Sequence, residues 1–367
     1  MASLLSDVVD SAAMGKATGW QIVLVVLSGV AGAQTPATRA VEPEVEAPSI
    51  PPHRDLRITA YAENDNRYFR PGPVTDRWYT HGTMLTISHR PQWAEDLARW
   101  MPLAERFGPA RTAGGYLVGQ LIFTPEDTDA ETLIRDDRPY AGYLYGGAFW
   151  QRANATTFDH VQIEIGTIGP ASQADRVQNG LHRLTDRELV NGWAHQLDDE
   201  LTFQLYARRK WRFELGRFDL GELPIAVQVI PQAGLAAGTV HRFVEGGATL
   251  RAGFNLPDDF GPGRLADIAA ATGGPPADGW GAYVFARAGG RLVEHNLLLE
   301  GNTCKASHDV EARTAVGEVQ LGLSVQYHRG PWTVDFGYSQ TFSSREFYGQ
   351  DHSHAWGAYM LSVAYRF

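Results

Sequence analysis

Side-chain oxygens crowd the segment ENDNRYFRPGPVTDRWYTHG, residues 63–82. Asn64, Asp65, Thr75, Asp76 and Thr80 fall here between two runs of strand character, Leu56–Ala62 and Thr83–Ser88. Amide, carboxylate and hydroxyl oxygens are what a hard cation such as calcium selects. The same residue types are ordinary turn formers, so this stretch alone leaves both readings open. A second group lies in GPASQADRVQNGLHRLTDRELVNGWAHQLDDE, residues 169–200. Ser172 is the expected N-cap of a helix on which Val177, Leu181 and Leu184 recur at helical spacing. His182 falls on a neighbouring face, with Gln178 one turn before it and Glu188 beyond it. An imidazole takes a proton from water near neutral pH, and a carboxylate or amide fixes its tautomer. A surface histidine on a loop helix would look the same. A third group, RDDRPYAGYLYG, sets Asp136, Asp137 and Arg138 at the lip of a strand. The acids would bind a cation or merely solvate a loop. Arg138, with Arg135 just before it, is the candidate for holding an anionic head group. There is no G-x-S-x-G nucleophile, and the one cysteine, Cys304, has no patterned partner. A hydrolase made of these parts would activate water with His182 while a cation polarised the acyl carbonyl.

Elements of a particular kind must position such groups. The apolar run Ile22–Ala33 is too short to span a bilayer as a helix. It ends in Ala31-Gly32-Ala33 and has Lys16 upstream, which predicts a secretory signal peptide over residues 1–33. The Pro- and Glu-rich stretch QTPATRAVEPEVEAPSIPP follows, so residues 34–54 are expected to be a disordered lead-in to a folded domain over 55–367. A single cysteine excludes an internal disulfide framework. A formal charge of -10 argues against a nucleic-acid partner.

From Leu56 onward the dominant period is two, in about twelve runs of strand length. Sandwiches and small closed barrels share that pattern, as does the outer-membrane barrel. Glu318, Gln320, Gly322 and Ser324 alternate with Val319, Leu321, Leu323 and Val325. Polar positions facing a lumen and apolar ones facing lipid would produce this alternation. Tyr140, Tyr143, Phe149, Trp150, Trp211, Phe213, Trp280, Trp332 and Trp356 crowd the strand ends, as girdle residues would. The chain closes on YMLSVAYRF, alternating to Phe367 like the C-terminal targeting strand of bacterial outer-membrane proteins. The expected fold is all-β, a twelve-stranded antiparallel transmembrane β-barrel with an extracellular loop helix. With both termini in the periplasm, the extracellular connections are 64–79, 124–140, 170–200, 234–242, 296–313 and 343–354. Of the inner connections, Arg90–Gly114 carries an interfacial helix marked by Trp93, Leu97 and Met101, and Asn255–Gly279 is irregular.

The ordered set AENDN…TDRWYTHG, DDRPYAGYLY, IGTIGP…VQNGLHRL and GWAHQLDDE resembles the outer-membrane lipid A 3′-O-deacylase family, most closely over residues 57–200. The resemblance implies removal of the 3′-linked acyloxyacyl chain from lipid A in the outer leaflet, by a monomer whose partners are lipopolysaccharide and outer-membrane lipids. It implies a Ca2+ cofactor at the oxyanion site and water activated by histidine. Carried over by motif, His182 is the general base and Glu188 its supporting carboxylate. Asn64 and Asp65 are the strand-one pair and Thr80 the strand-two hydroxyl, with Asn64, Asp65 and Glu188 as the metal set. The family's basic cluster before the DRPYAG-like motif reads EDTDAETLIRDDR here, so Arg67, Arg70 and Arg77 are the substitutes for binding phosphates. An outer-membrane phospholipase and a non-enzymatic channel or structural barrel are the alternatives.

Overall fold

The computed structural model describes residues 55–65, 76–100, 110–274 and 276–367. The expected signal peptide and lead-in, Thr75, Arg67, Arg70 and Met101 lie outside the described residues.

The strands run in chain order and each pairs with its neighbour in antiparallel fashion. They are β1 (Asp55–Asn64), β2 (Trp78–His89), β3 (Arg111–Thr124), β4 (Ala141–Ala153) and β5 (Thr157–Ile168). β6 consists of Glu200–Trp211 and Phe213–Leu220, interrupted at Arg212; both segments pair with the next strand. β7 (Leu223–Gly238), β8 (His241–Phe254), β9 (Gly279–Asn296), β10 (Ala315–Arg329), β11 (Trp332–Ser343) and β12 (His354–Arg366) complete the wall. β12 pairs with β1 from Asp55↔Arg366 to Asn64↔Gly357, which closes the sheet on itself. This is the expected closed, twelve-stranded antiparallel barrel, and closure removes the exposed edges that an open sheet would present. The alternation in β10 is as expected: Val319, Leu321 and Leu323 are exposed while Gln320 and Ser324 are buried.

Two sequence expectations change. The connection expected over 234–242 shrinks to Thr239 and Val240, because β7 runs on to Gly238. The aromatic residues divide by position. Trp280, Trp332 and Phe213 are exposed, with Trp280 on Tyr327 at 4.8 Å and Trp332 on Tyr365 at 4.6 Å, as a girdle requires. Tyr140, Tyr143, Phe149, Trp150 and Trp356 are buried and belong to the lumen or lie beneath helices.

The irregular connection over 255–278 fills the lumen. Leu265 and Ile268 pack among Tyr61, Tyr79, Met84, Phe123, Tyr143, Phe149 and Trp356. The Leu265 N–H donates to Glu63 at 3.0 Å, and that of Ala269 to the Tyr61 hydroxyl at 2.9 Å. Asp267 accepts from Arg208 at 3.0 Å and Lys210 at 2.9 Å. Burial raises the Asp267 carboxyl, but Arg208, Lys210 and Arg287 outweigh it and hold the group well below the usual carboxylate range. On the side of this plug away from the termini a chamber of about 150 Å³ remains, lined by Tyr79, Phe123, Arg138, Tyr143, Glu164, Arg264 and others.

Two helices lie on the outside of the wall, one at each end. At the end bearing the termini, α1 (Gln92–Trp100) sets Trp93 over Gly114, where no Cβ would fit. The Ala94 carbonyl there accepts from the Trp150 indole at 2.8 Å. At the opposite end, α2 (Ala174–Leu184) follows a 3-10 turn, Pro170–Ser172.

Candidate active site at the outer wall

The helix α2 is held by a row four residues apart: Ala174, Gln178 and His182 are its buried positions, while Leu181 and Leu184 are 42% and 82% exposed. Leu181 and Leu184 therefore mark the outward face, while Ala174, Gln178 and His182 face the barrel. Ala174 packs with Ile122, Tyr140 and Trp193, and Val177 packs against this cluster from its margin. Gly142 lies directly beneath, where a Cβ would strike Ser172 and Ala174. Gln120 donates to the Ser172 carbonyl at 2.7 Å. Tyr143, Leu121 and Phe123 line the lumen, so their neighbours Gly142, Gln120 and Ile122 are outward-facing by strand alternation. The helix thus covers the outer wall, and His182 meets Asp76 along the seam between wall and helix. Ser172 is not the N-cap; Gln173 holds that position in left-handed backbone, and the Ser172 hydroxyl instead donates to the Gly169 carbonyl at 2.6 Å.

His182 is fixed on both ring nitrogens. After α2 the chain folds back, with the Arg187 N–H on the His182 carbonyl at 2.9 Å. Asn179 clamps the returning strand by donating to the Val190 carbonyl at 3.2 Å and accepting from its N–H at 2.8 Å. This brings the Glu188 carbonyl onto His182 Nδ1 in a short hydrogen bond. A carbonyl only accepts, so Nδ1 carries the proton and Nε2 is left for proton exchange. Nε2 lies 3.0 Å from Asp76 Oδ2. Burial raises the Asp76 carboxyl, partly countered by His182 and Arg187. Glu188 therefore supports His182 through its backbone; its side chain is exposed, and the carboxylate facing the ring is Asp76. Asp76 and Asn179 are the functional residues that the sequence reading did not assign. Asp76 was visible within the oxygen-rich segment, but its pairing with a helix a hundred residues away leaves no local pattern.

The oxygen cluster gathers at the same end of β1–β3. A bulge between Tyr79 and His81 makes Thr80 the extra residue of β2. Its hydroxyl meets that of Thr124 at 2.8 Å, and Thr124 donates to the Asp76 carbonyl at 3.0 Å. Asn64 donates its amide to the Thr80 carbonyl at 2.9 Å. Asp65 accepts from the Arg77 N–H at 2.8 Å. Trp78 has φ 60°, a left-handed conformation that costs a bulky residue on the order of 1–3 kcal/mol, two residues after the Asp76 that meets His182. The structure thus brings Asn64, Asp65, Thr80, Asp76 and His182 to one side and one end of the barrel. Among the described residues no three His, Cys, Asp or Glu side chains converge as a metal cage. A cation here would rest on a mixed set of carboxylate, amide and backbone oxygens, which calcium accepts.

The two expected head-group arginines lie away from His182 and Asp76. Arg138 is buried, lies over the Phe123 ring at 4.4 Å, pairs with Glu346 at 3.4 Å and lines the lumen chamber. Arg135 is exposed, and its carbonyl accepts from His308 at 3.3 Å. Asp137 holds a turn, accepting from the Arg138 and Glu126 N–H groups at 2.7 and 2.6 Å. Arg77 is the cation nearest the cluster, stacked on Trp78 and paired with Glu126.

The sequence pattern described as outer membrane protein LpxR matches residues 21–365. The chain belongs to the LpxR family. This is the outer-membrane lipid A 3′-O-deacylase family that its motifs resemble, and the closed barrel is a protein of the outer membrane. LpxR from Salmonella typhimurium superposes with a TM-score of 0.64 at 20% identity, over 85% of this chain and 100% of that one, a likeness of fold. The β domain of the Bordetella autotransporter BrkA scores 0.41 at 12% identity, over 86% of this chain and 99% of that one. No curated protein sequence matches the chain.

Proposed function

We propose that this LpxR-family barrel is a lipid A deacylase that hydrolyses the 3′-linked acyloxyacyl ester, with α2 on the external side and the seam between wall and helix facing the outer leaflet. The observation that carries the reading is the seating of His182. Its Nδ1 proton is fixed by the Glu188 carbonyl, and Nε2 faces Asp76 Oδ2 at 3.0 Å. A water that takes the place of the Asp76 oxygen at Nε2 gives up its proton there as it attacks the acyl carbon, and the adjacent Asp76 carboxylate stabilises the imidazolium that results. The proton then passes to the leaving sugar oxygen. Calcium bound by Asn64, Asp65 and Glu188 would supply charge for the developing oxyanion. Thr80 and Thr124 keep the β2 bulge, and with it Asp76, in place. The lumen plug speaks against a channel, and the protein works as a monomer without a nucleic-acid partner.

Mass spectrometry of lipid A from cells with and without the protein tests this reading. Loss of the 3′ acyloxyacyl mass is the expected result. Unchanged lipid A with altered phospholipids would make it a phospholipase, and no change in either would make it a structural barrel.

A further inference from the structure

The outer wall beside α2 continues across β3, β2 and β1. Asn64 of β1, His81 of β2 and Ile122 of β3 are direct cross-strand partners. Side chains directly opposite one another lie roughly 5 Å apart at Cβ. The row faces outward, since Glu63 and Phe123 beside it line the lumen and Ile122 packs under Ala174 of α2. His81 therefore lies between the Asn64 amide and the helix-covered Ile122, one residue after the Thr80 bulge. It is half-buried, and among the described residues neither ring nitrogen has a hydrogen-bond or ion-pair partner. Half-buried imidazoles are normally satisfied, so one with no partner among the described residues is open to a ligand. The outward row continues below it through Thr83 to the exposed Leu85 and Ile87, beside the exposed Ile58 of β1. His81 is thus the last ring-bearing polar group before a hydrocarbon surface. A molecule with a polar sugar and an acyl tail changes character at that boundary.

We propose that His81 binds substrate: its imidazole hydrogen-bonds a hydroxyl or amide of the acylated sugar beside the scissile ester, holding the head group while the acyl chain runs down the β1–β2 face. The proposal rests on the deacylase reading above and adds a specificity determinant for a polar-headed acyl ester.

The test uses purified protein in detergent with calcium and lipid A. His81→Phe, which keeps a ring but no polar atom, is expected to raise KM about tenfold with kcat within about twofold. His81→Gln, which keeps one polar end, is expected to recover most of that loss. If the Phe variant does not assemble into the heat-modifiable form, His81→Ala is expected to show the same KM rise. Binding is read separately, by tryptophan fluorescence on lipid A titration in a His182→Ala background. There, adding His81→Phe should weaken binding about tenfold. Unchanged KM and unchanged binding would overturn the proposal, as would a fall in kcat alone. Wild-type protein that turns over no lipid A, yet loses binding with His81→Phe, would sink the hydrolase reading and leave the binding role intact.

Discussion

The two densest polar regions of this barrel sit on opposite sides of one wall, and they follow opposite rules. In the lumen, Arg208, Lys210, Arg264, Arg287 and Arg291 each meet a carboxylate of Asp267, Glu245, Glu318 or Glu346. The carboxylate of Glu63 is held by Tyr79 and a plug N–H, and that of Glu164 by Tyr143 and Gln162. At the outer wall, His182 has a single carboxylate, and His81 engages nothing among the described residues. Buried charges persist when they are paired, so the matched lumen reads as the staple that a chain with one cysteine needs. Polar groups left short of partners are the ones available to a substrate.

That contrast is sharpest in His182→Ala, which should lower the turnover rate by about 10²–10⁴ while the thermal unfolding temperature stays where it was. Retained turnover would remove His182 as base. Asp267→Ala should do the reverse. Removing the carboxylate that Arg208, Lys210 and Arg287 share, and leaving Arg208 only Glu245, is expected to cost about 3–5 kcal/mol, seen as a lower unfolding midpoint, with kcat of the folded fraction unchanged. An activity defect at full stability would erase the distinction between the two regions. Asp76→Asn should cost ten- to a hundredfold in kcat with little change in KM, because the imidazolium loses its counter-charge but the ring keeps its Glu188 anchor. Smallest of all, Arg138→Lys should lose its stacking on Phe123 and about 1 kcal/mol of stability while leaving KM for lipid A unchanged. A raised KM would return Arg138 to the head-group site.

The barrel was legible because a period of two, continued through twelve strands, is set by strand geometry itself. The polar-in, apolar-out alternation of β10 is an example. The lumen plug was not, because residues 255–278 carry little regular structure and their partners come from strands far away in sequence. The helix carrying His182 was placed correctly from Val177, Leu181 and Leu184. Which face is buried was not legible, because amphipathic spacing locates a helix face without saying whether protein or lipid covers it. Asn64, Asp65 and Thr80 were recognisable from the motif they share with the family, and the fold does bring them to one end. The contacts of Glu188 and Arg138 were not legible, for one reason. Sequence records that a carboxylate or guanidinium exists, while here a backbone carbonyl and the far side of a β-wall decide what each touches.

Purified protein incubated with lipid A, with and without calcium, gives the most direct test of His182 as the base of an outer-wall ester hydrolase. Mass spectra should show a single product lacking the 3′ acyloxyacyl group for the wild type with calcium, and intact lipid A for His182→Ala or after chelation. Intact lipid A with calcium-loaded wild type, or equal product from His182→Ala, would contradict the account.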